Sequence, residues 1–202
     1  MEDKRLLLTQ SDIGRLPAFE GLPPNKIIQP KNHIEAKQAL LDLTEAKWIG
    51  FDTESRPIFT KGQTSDGPHV LQFSTLQRAY IFQTHDEACI EVIRSLLGNA
   101  EIHKIGFDLK SDMAHIRRKF KVEPLGMIDI SRSFKSLGYP HCIGVKSAIA
   151  ILLKKQFQKS KSTSTSNWSV RDLSERQLTY AANDAYAAIQ VFHKLREAGQ
   201  LR

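Results

Sequence analysis

The sequence predicts an α/β fold, a mixed five-stranded sheet flanked by helices, and three observations carry that expectation. Three apolar, strand-like segments follow one another closely at residues 47–54, 69–75 and 78–83. Beyond them strand and helix patterns alternate, which requires a parallel part to the sheet. A length of 202 residues with 41% hydrophobic content suits one compact domain with a sizeable core.

Taken in order, residues 1–30 carry Pro17, Pro23, Pro24 and Pro30 without sustained periodicity, and read as an irregular arm lying on a domain of residues 31–202. From Asn32, NHIEAKQALLDLTEA has a polar start and the spacing of an amphipathic helix. KWIGFDTE is a buried strand, and HVLQFST and RAYIFQ, parted by a short polar turn, complete an antiparallel meander with it. A helix at 86–97, a strand near 101–107, a helix at 108–120 and the short strand MIDI at 127–130 follow, then further helices. Residues 154–167 are polar, basic and low in complexity, as in a mobile loop. In the last helix, Ser174 and Gln177 form a capping-box pattern ahead of Leu178, Ala182, Ala185, Ile189 and Phe192.

Lys and Arg number 29 against 22 Asp and Glu, and the net charge of +7 favours a polyanionic partner. Two cysteines, Cys89 and Cys142, offer neither a disulfide framework nor zinc-ligand spacing, which fits a reducing compartment. Apolar runs fall far short of a membrane span and the opening residues do not resemble a signal peptide, so the expectation is a soluble, intracellular protein of cytoplasm or nucleus.

Four acids and a tyrosine form the candidate chemistry. Asp52 and Glu54, two apart on one strand, project from the same face, where like charges repel unless a cation joins them. A hard metal ion is the natural partner. Asp112 lies in the opening turn of a helix, one turn beyond Asp108, which reads as that helix's N-cap. Tyr180 and Asp184, four apart, share a helix face separate from the core stripe. Singly, Asp112 and Asp184 read equally as solvated surface acids, and Tyr180 as a packing residue. Gathered together, four carboxylates suit two divalent ions about 3.5 to 4 Å apart, arranged for in-line attack on a phosphodiester. A tyrosine hydroxyl can then orient the attacking water.

FDTE, IGFDLKSD and YAANDAY resemble the three motifs of the DEDDy 3′-to-5′ exonucleases, a group that includes ribonuclease D, polymerase proofreading domains and the Werner syndrome exonuclease domain. The likeness runs from about residue 45 to 195, and SNWSVRDLSERQLTYAANDAY, with Trp168, resembles the ribonuclease D and Werner branches. It implies a ribonuclease-H-like (DnaQ-like) exonuclease fold, two Mg²⁺ or Mn²⁺ ions, and release of nucleoside 5′-monophosphates. By the same resemblance Asp52, Glu54 and Asp184 hold one ion, Asp52 bridges to the second, Asp112 supports the second through water, and Tyr180 is catalytic. Thr53 and Ile58 are expected against the end of the strand, and Asp129 is expected to be structural. Where this chain has Asp108 the group frequently has asparagine.

Lys154, Lys155, Lys159 and Lys161, like Arg117, Arg118, Lys119 and Lys121, read either as phosphate contacts or as solvated charge. The dispersed histidines lack metal-ligand spacing, His115 being a neighbour of Asp112 or a surface residue. The expected partner is single-stranded or 3′-end-containing DNA or RNA. The alternative is a catalytically silent nucleic-acid-binding or scaffolding module of the same fold. Loss of an acid would favour it, and all four are present. A metal-dependent hydrolase of small nucleotides is a third reading, told apart by its release of inorganic phosphate.

Overall fold

The apolar run that ends in two acids, Trp48–Glu54, is strand β2, and it lies where the two halves of a mixed sheet meet. The computed structural model describes residues 7–58, 62 and 64–201. Ahead of β2 come α1 (Gln10–Gly14), β1 (Ile27–Ile28) and α2 (His33–Ala46). After it come β3 (Val70–Ser74), β4 (Ala79–Gln83), α3 (Glu87–Gly98), β5 (His103–Gly106), α4 (Lys110–Phe120) and β6 (Met127–Asp129). The chain finishes through α5 (Ser133–Ser136), α6 (Val145–Leu153), α7 (Lys161–Ser164) and α8 (Glu175–Glu197).

The sheet order is β1-β4-β3-β2-β5-β6. β2, β3 and β4 form the expected antiparallel meander, while β5 runs parallel to β2 and β6 parallel to β5. The sheet has six strands rather than five, because Ile27 and Ile28 add alongside Ala79 and Tyr80 of β4. Two residues between Lys26 and Gln29 are too short a run to show period-2 patterning. The arm is also more regular than its prolines suggest. Thr9 and Asp12 cap α1 reciprocally, and Leu22 is buried.

Elsewhere the local chemistry matches the elements. Asn32 caps α2 by accepting the backbone N–H groups of Ile34 and Glu35, and Asp86 caps α3. At α8, Ser174 Oγ accepts from Gln177 N–H at 3.3 Å and Gln177 Oε1 accepts from Ser174 N–H at 3.1 Å, completing the capping box. The cap expected of Asp108 is absent. Leu109 stands at the N-cap of α4, and Asp108 takes a left-handed conformation (φ 53°) with its N–H donated to Asp129 Oδ1 at 3.0 Å. Asp tolerates that conformation better than most residues. Asp129 also accepts from the backbone and hydroxyl of Ser131, so it is a structural tie at the end of β6.

Alternation of side chains divides the core. Phe51, Leu71, Phe73 and Phe82 pack on one face of the sheet with Ala36, Ala39 and Leu43 of α2 and Val92, Ile93 and Leu96 of α3. On the other face Val70, Ala79 and Ile81 meet Ala181, Ala182 and the fully buried Trp168. Each large side chain buried this way contributes about 1.5–3 kcal/mol. α8 lies directly over β2, and Gly50 permits it: a Cβ there would stand 1.8 Å from the Ala185 carbonyl oxygen. Among the described residues no helix is long and apolar enough to cross a membrane.

Candidate active site

β2 is antiparallel to β3 and parallel to β5, so its C-terminal end lies at the junction of the two halves of the sheet, a position at which α/β sheets commonly open a crevice. Asp52 and Glu54 occupy that end on one face. α8 crosses above and lowers Asp184 onto them. One carboxylate oxygen from each of Asp52, Glu54 and Asp184 lies within 4.8 Å of the other two. The surface reading of Asp184 is thereby overturned: it is 4% exposed, on a helix buried round much of its circumference.

Asp112, in the first turn of α4, is not one of that trio and is tied to it through Thr53. It accepts a hydrogen bond from the Thr53 hydroxyl, while the Thr53 backbone N–H donates to Asp52 Oδ1 at 2.9 Å. Thr53 therefore connects two of the acids, and its side chain is occupied with Asp112. Tyr180 sits one turn before Asp184 with its ring against Trp168, centroids 5.9 Å apart. Ile58 is partly exposed beyond the end of β2, at 37%.

The electrostatics follow from crowding. Burial, then the neighbouring carboxylates, push the Asp52 and Glu54 carboxyls well above the ordinary range. Burial also raises Asp112 and Asp184, although for Asp184 the Lys159 ammonium pulls in the opposite direction. Tyr180 is raised to about 12 by burial and by the charge of Asp184, so at neutral pH its hydroxyl keeps its proton and can donate. Buried, converging, oxygen-only ligands are the donor set that hard divalent cations require, and the residues fit the ions the motifs imply.

Of the basic residues, Lys159 enters the site. Its Nζ lies 2.7 Å from Asp184 Oδ2 and 5.3 Å from the centroid of the Tyr180 ring. Nothing in the sequence distinguishes it from the other lysines of 154–161. Lys154 is exposed at the left-handed C-cap of α6, and Lys155 pairs with Glu20 of the arm at 3.4 Å. The stretch read as a mobile loop contains buried Phe157, buried Thr163 and α7. Arg117 forks onto Glu123, while Arg118 and Lys119 bind the backbone carbonyls of residues 65, 66 and 68. Arg118 and Lys119 thereby brace the segment between β2 and β3. Gln72 also escaped the sequence reading. It is the cross-strand partner of Asp52, fully buried, and neither amide atom has a hydrogen-bond partner among the described residues. A glutamine among the apolar residues of β3 was the available signal.

Comparison with known proteins agrees with this geometry. Residues 27–200 match the 3′-5′ exonuclease family model. The chain is 28% identical over 159 residues to the mouse bifunctional 3′-5′ exonuclease/ATP-dependent helicase WRN, covering 78% of this chain and 11% of that protein. It is 27% identical over 161 residues to DNA polymerase I of Aquifex aeolicus (strain VF5), covering 80% of this chain and 26% of the relative. It thus spans only a small part of either relative's length. Among solved structures, the Aedes aegypti Nibbler EXO domain superposes with a TM-score of 0.74 at 17% identity, covering 89% of this chain and 92% of that one. Trypanosoma brucei RNase D in complex with RNA U12 gives 0.72 at 19% identity, covering 92% and 64%. The fold is that of the RNase H-like exonuclease domains, and with its four acids and tyrosine in DEDDy order the chain belongs to the 3′-5′ exonuclease family of hydrolases.

Proposed function

We propose that this chain hydrolyses phosphodiester bonds one nucleotide at a time from the 3′ end of a DNA or RNA strand, releasing nucleoside 5′-monophosphates. The observation that carries the proposal is the convergence of Asp52, Glu54 and Asp184 within 4.8 Å, beside Tyr180. Asp52, Glu54 and Asp184 would hold one Mg²⁺ or Mn²⁺, with Asp52 shared and Asp112 supporting a second. When bound, such ions supply an activated water and stabilise charge on the phosphorus oxygens.

The protein's own residues do the rest. Tyr180 donates its hydroxyl hydrogen bond to orient the attacking water. Thr53 holds Asp52 and Asp112 at a fixed separation through its backbone and its hydroxyl. Ile58 offers apolar surface to the terminal base, and Lys154 and Lys155 offer charge to the phosphates that follow it. The net charge of +7 and the RNA carried by a structural neighbour support a nucleic-acid substrate.

The test is incubation of purified protein with 5′-labelled single-stranded DNA and RNA in Mg²⁺, Mn²⁺ or EDTA, resolved on a sequencing gel. A metal-dependent ladder shortening from the 3′ end is expected, and its intensity on the two polymers reports the preferred substrate. Intact strands in every lane would favour the silent binding module. Release of inorganic phosphate from mononucleotides without a ladder would favour a small-nucleotide hydrolase.

A further inference from the structure

Three carboxylates and one ammonium share the site, and the ammonium touches the same acid that a metal would need. Lys159 Nζ stands 2.7 Å from Asp184 Oδ2, with the lysine side chain 25% exposed and the Asp184 side chain 2% exposed. The Coulombic influence of Lys159 extends to Asp52 and Glu54 as well. We propose that Lys159 is a tethered cation that competes with the divalent ion for Asp184, so that loading the metal moves its ammonium off that carboxylate. This rests on the metal-dependent reading above and adds a residue that sets the affinity of the site.

The path of the chain favours a competition by side chain rather than by loop opening. Gln156 is held by two backbone hydrogen bonds to the arm, Phe19 N–H to Gln156 carbonyl at 2.9 Å and Gln156 N–H to Pro17 carbonyl at 2.7 Å. Phe157 is buried against Phe19, ring centroids 5.2 Å apart. On the other side Ser160 caps α7. Between these anchors lie only Gln158, whose Nε2 donates to Gln156 Oε1 at 3.1 Å, and Lys159, so the ammonium stays beside the acids whichever contact it makes. An intramolecular partner on so short a tether acts at high effective concentration. A metal meeting a site that is already paired binds with an affinity reduced by the fraction of unpaired sites.

The experiment is Mn²⁺ titration of the purified full chain by isothermal titration calorimetry and by the free-Mn²⁺ electron paramagnetic resonance signal. It compares wild type with Lys159→Met, Lys159→Arg and Lys146→Met. Lys146 is exposed and contributes to the field at Asp184, so its variant separates contact from diffuse charge. If nine in ten sites are paired, Lys159→Met should bind Mn²⁺ about tenfold more tightly than wild type. Lys159→Arg should stay close to wild type, and Lys146→Met within about twofold of it. Equal or weaker affinity for Lys159→Met, or equal tightening by Lys146→Met, would overturn the proposal while leaving the exonuclease reading standing.

A second measurement uses wild type alone and does not depend on a variant that folds. Reductive dimethylation read by mass spectrometry should modify Lys159 slowly in EDTA and faster in saturating Mn²⁺. Labelling of Lys159 that saturating Mn²⁺ leaves unchanged overturns the proposal. Failure of both wild type and Lys159→Met to bind Mn²⁺ would remove this inference together with the metal-dependent mechanism.

Discussion

Asp52 and Glu54 reach one point from β2 and Asp184 reaches it from α8, and two of the three are restrained by different neighbours. Asp52 accepts the Thr53 N–H, and Asp184 meets Lys159. Removing charge from Asp52, the acid proposed to be shared between the two ions, should be the most damaging change. Asp52→Asn is expected to lower turnover by about 10³-fold or more while far-ultraviolet circular dichroism stays as in wild type. Tyr180→Phe keeps the ring on Trp168 and loses only the hydroxyl, so turnover should fall about 10²-fold with little change in KM. Steady-state kinetics on a labelled single strand separates the two parameters, and equal turnover for tyrosine and phenylalanine sinks the role assigned to the hydroxyl.

The raised carboxyls of Asp52 and Glu54 also fix the sign of a pH effect. A carboxyl whose folded value exceeds its unfolded one binds extra protons in the native state, so stability is greatest below the unfolded value and is lost as pH rises through the folded one. The unfolded reference is about 4. In EDTA, the thermal midpoint should therefore fall between pH 5 and pH 9, Asp52→Asn should flatten that slope, and saturating Mn²⁺ should recover the loss. An EDTA midpoint that rises over this range contradicts the assignment. Much of this was legible in the sequence, since FDTE, SD and YAAND place acids at spacings that strand and helix geometry turns inward. The Lys159 contact was not, because it joins a loop to a helix 25 residues away and carries no periodic signal.

At the level of elements, the site depends on how closely α8 can approach β2. Gly50→Ala puts a methyl group onto the Ala185 carbonyl and should cost about 3 kcal/mol by overpacking, read as a lower denaturation midpoint at unchanged slope. Activity should fall further than stability does, since the same displacement carries Asp184 away from its partners. Ser174→Ala removes one half of the α8 capping box at a cost of about 1 kcal/mol, with the active site intact. The meander, the alternating half and this capping box could be read from local pattern. The Asp108 cap could not. A single acid at a strand-to-helix boundary looks the same whether its oxygen caps the helix or its backbone turns left-handed to reach Asp129.

Across the whole molecule the arm and the last third of the chain are interlocked. Phe19 packs on Phe157 and Tyr186, and Ala18 bridges Gln156. Phe19→Ala should lower stability by about 2 kcal/mol, less than a full core deletion because the ring is half-buried, and should speed proteolysis within residues 154–160. Local composition marked both segments as irregular because what orders them is mutual packing across more than 130 positions of chain.

The two-residue β1 gains a wider meaning from where it lies. It flanks β4, whose five residues are all buried, and beside it Gln29 bonds to Gln83, whose own amide reaches the Val170 carbonyl. The opposite margin of the sheet is the three-residue β6. Both margins are thus too short to template another strand, as soluble β-proteins generally require. A chain starting at Pro30 would uncover a longer, apolar ribbon of unpaired amides and carbonyls, and light scattering should show it self-associating where the intact protein does not. On this view β1 acts as a guard against aggregation.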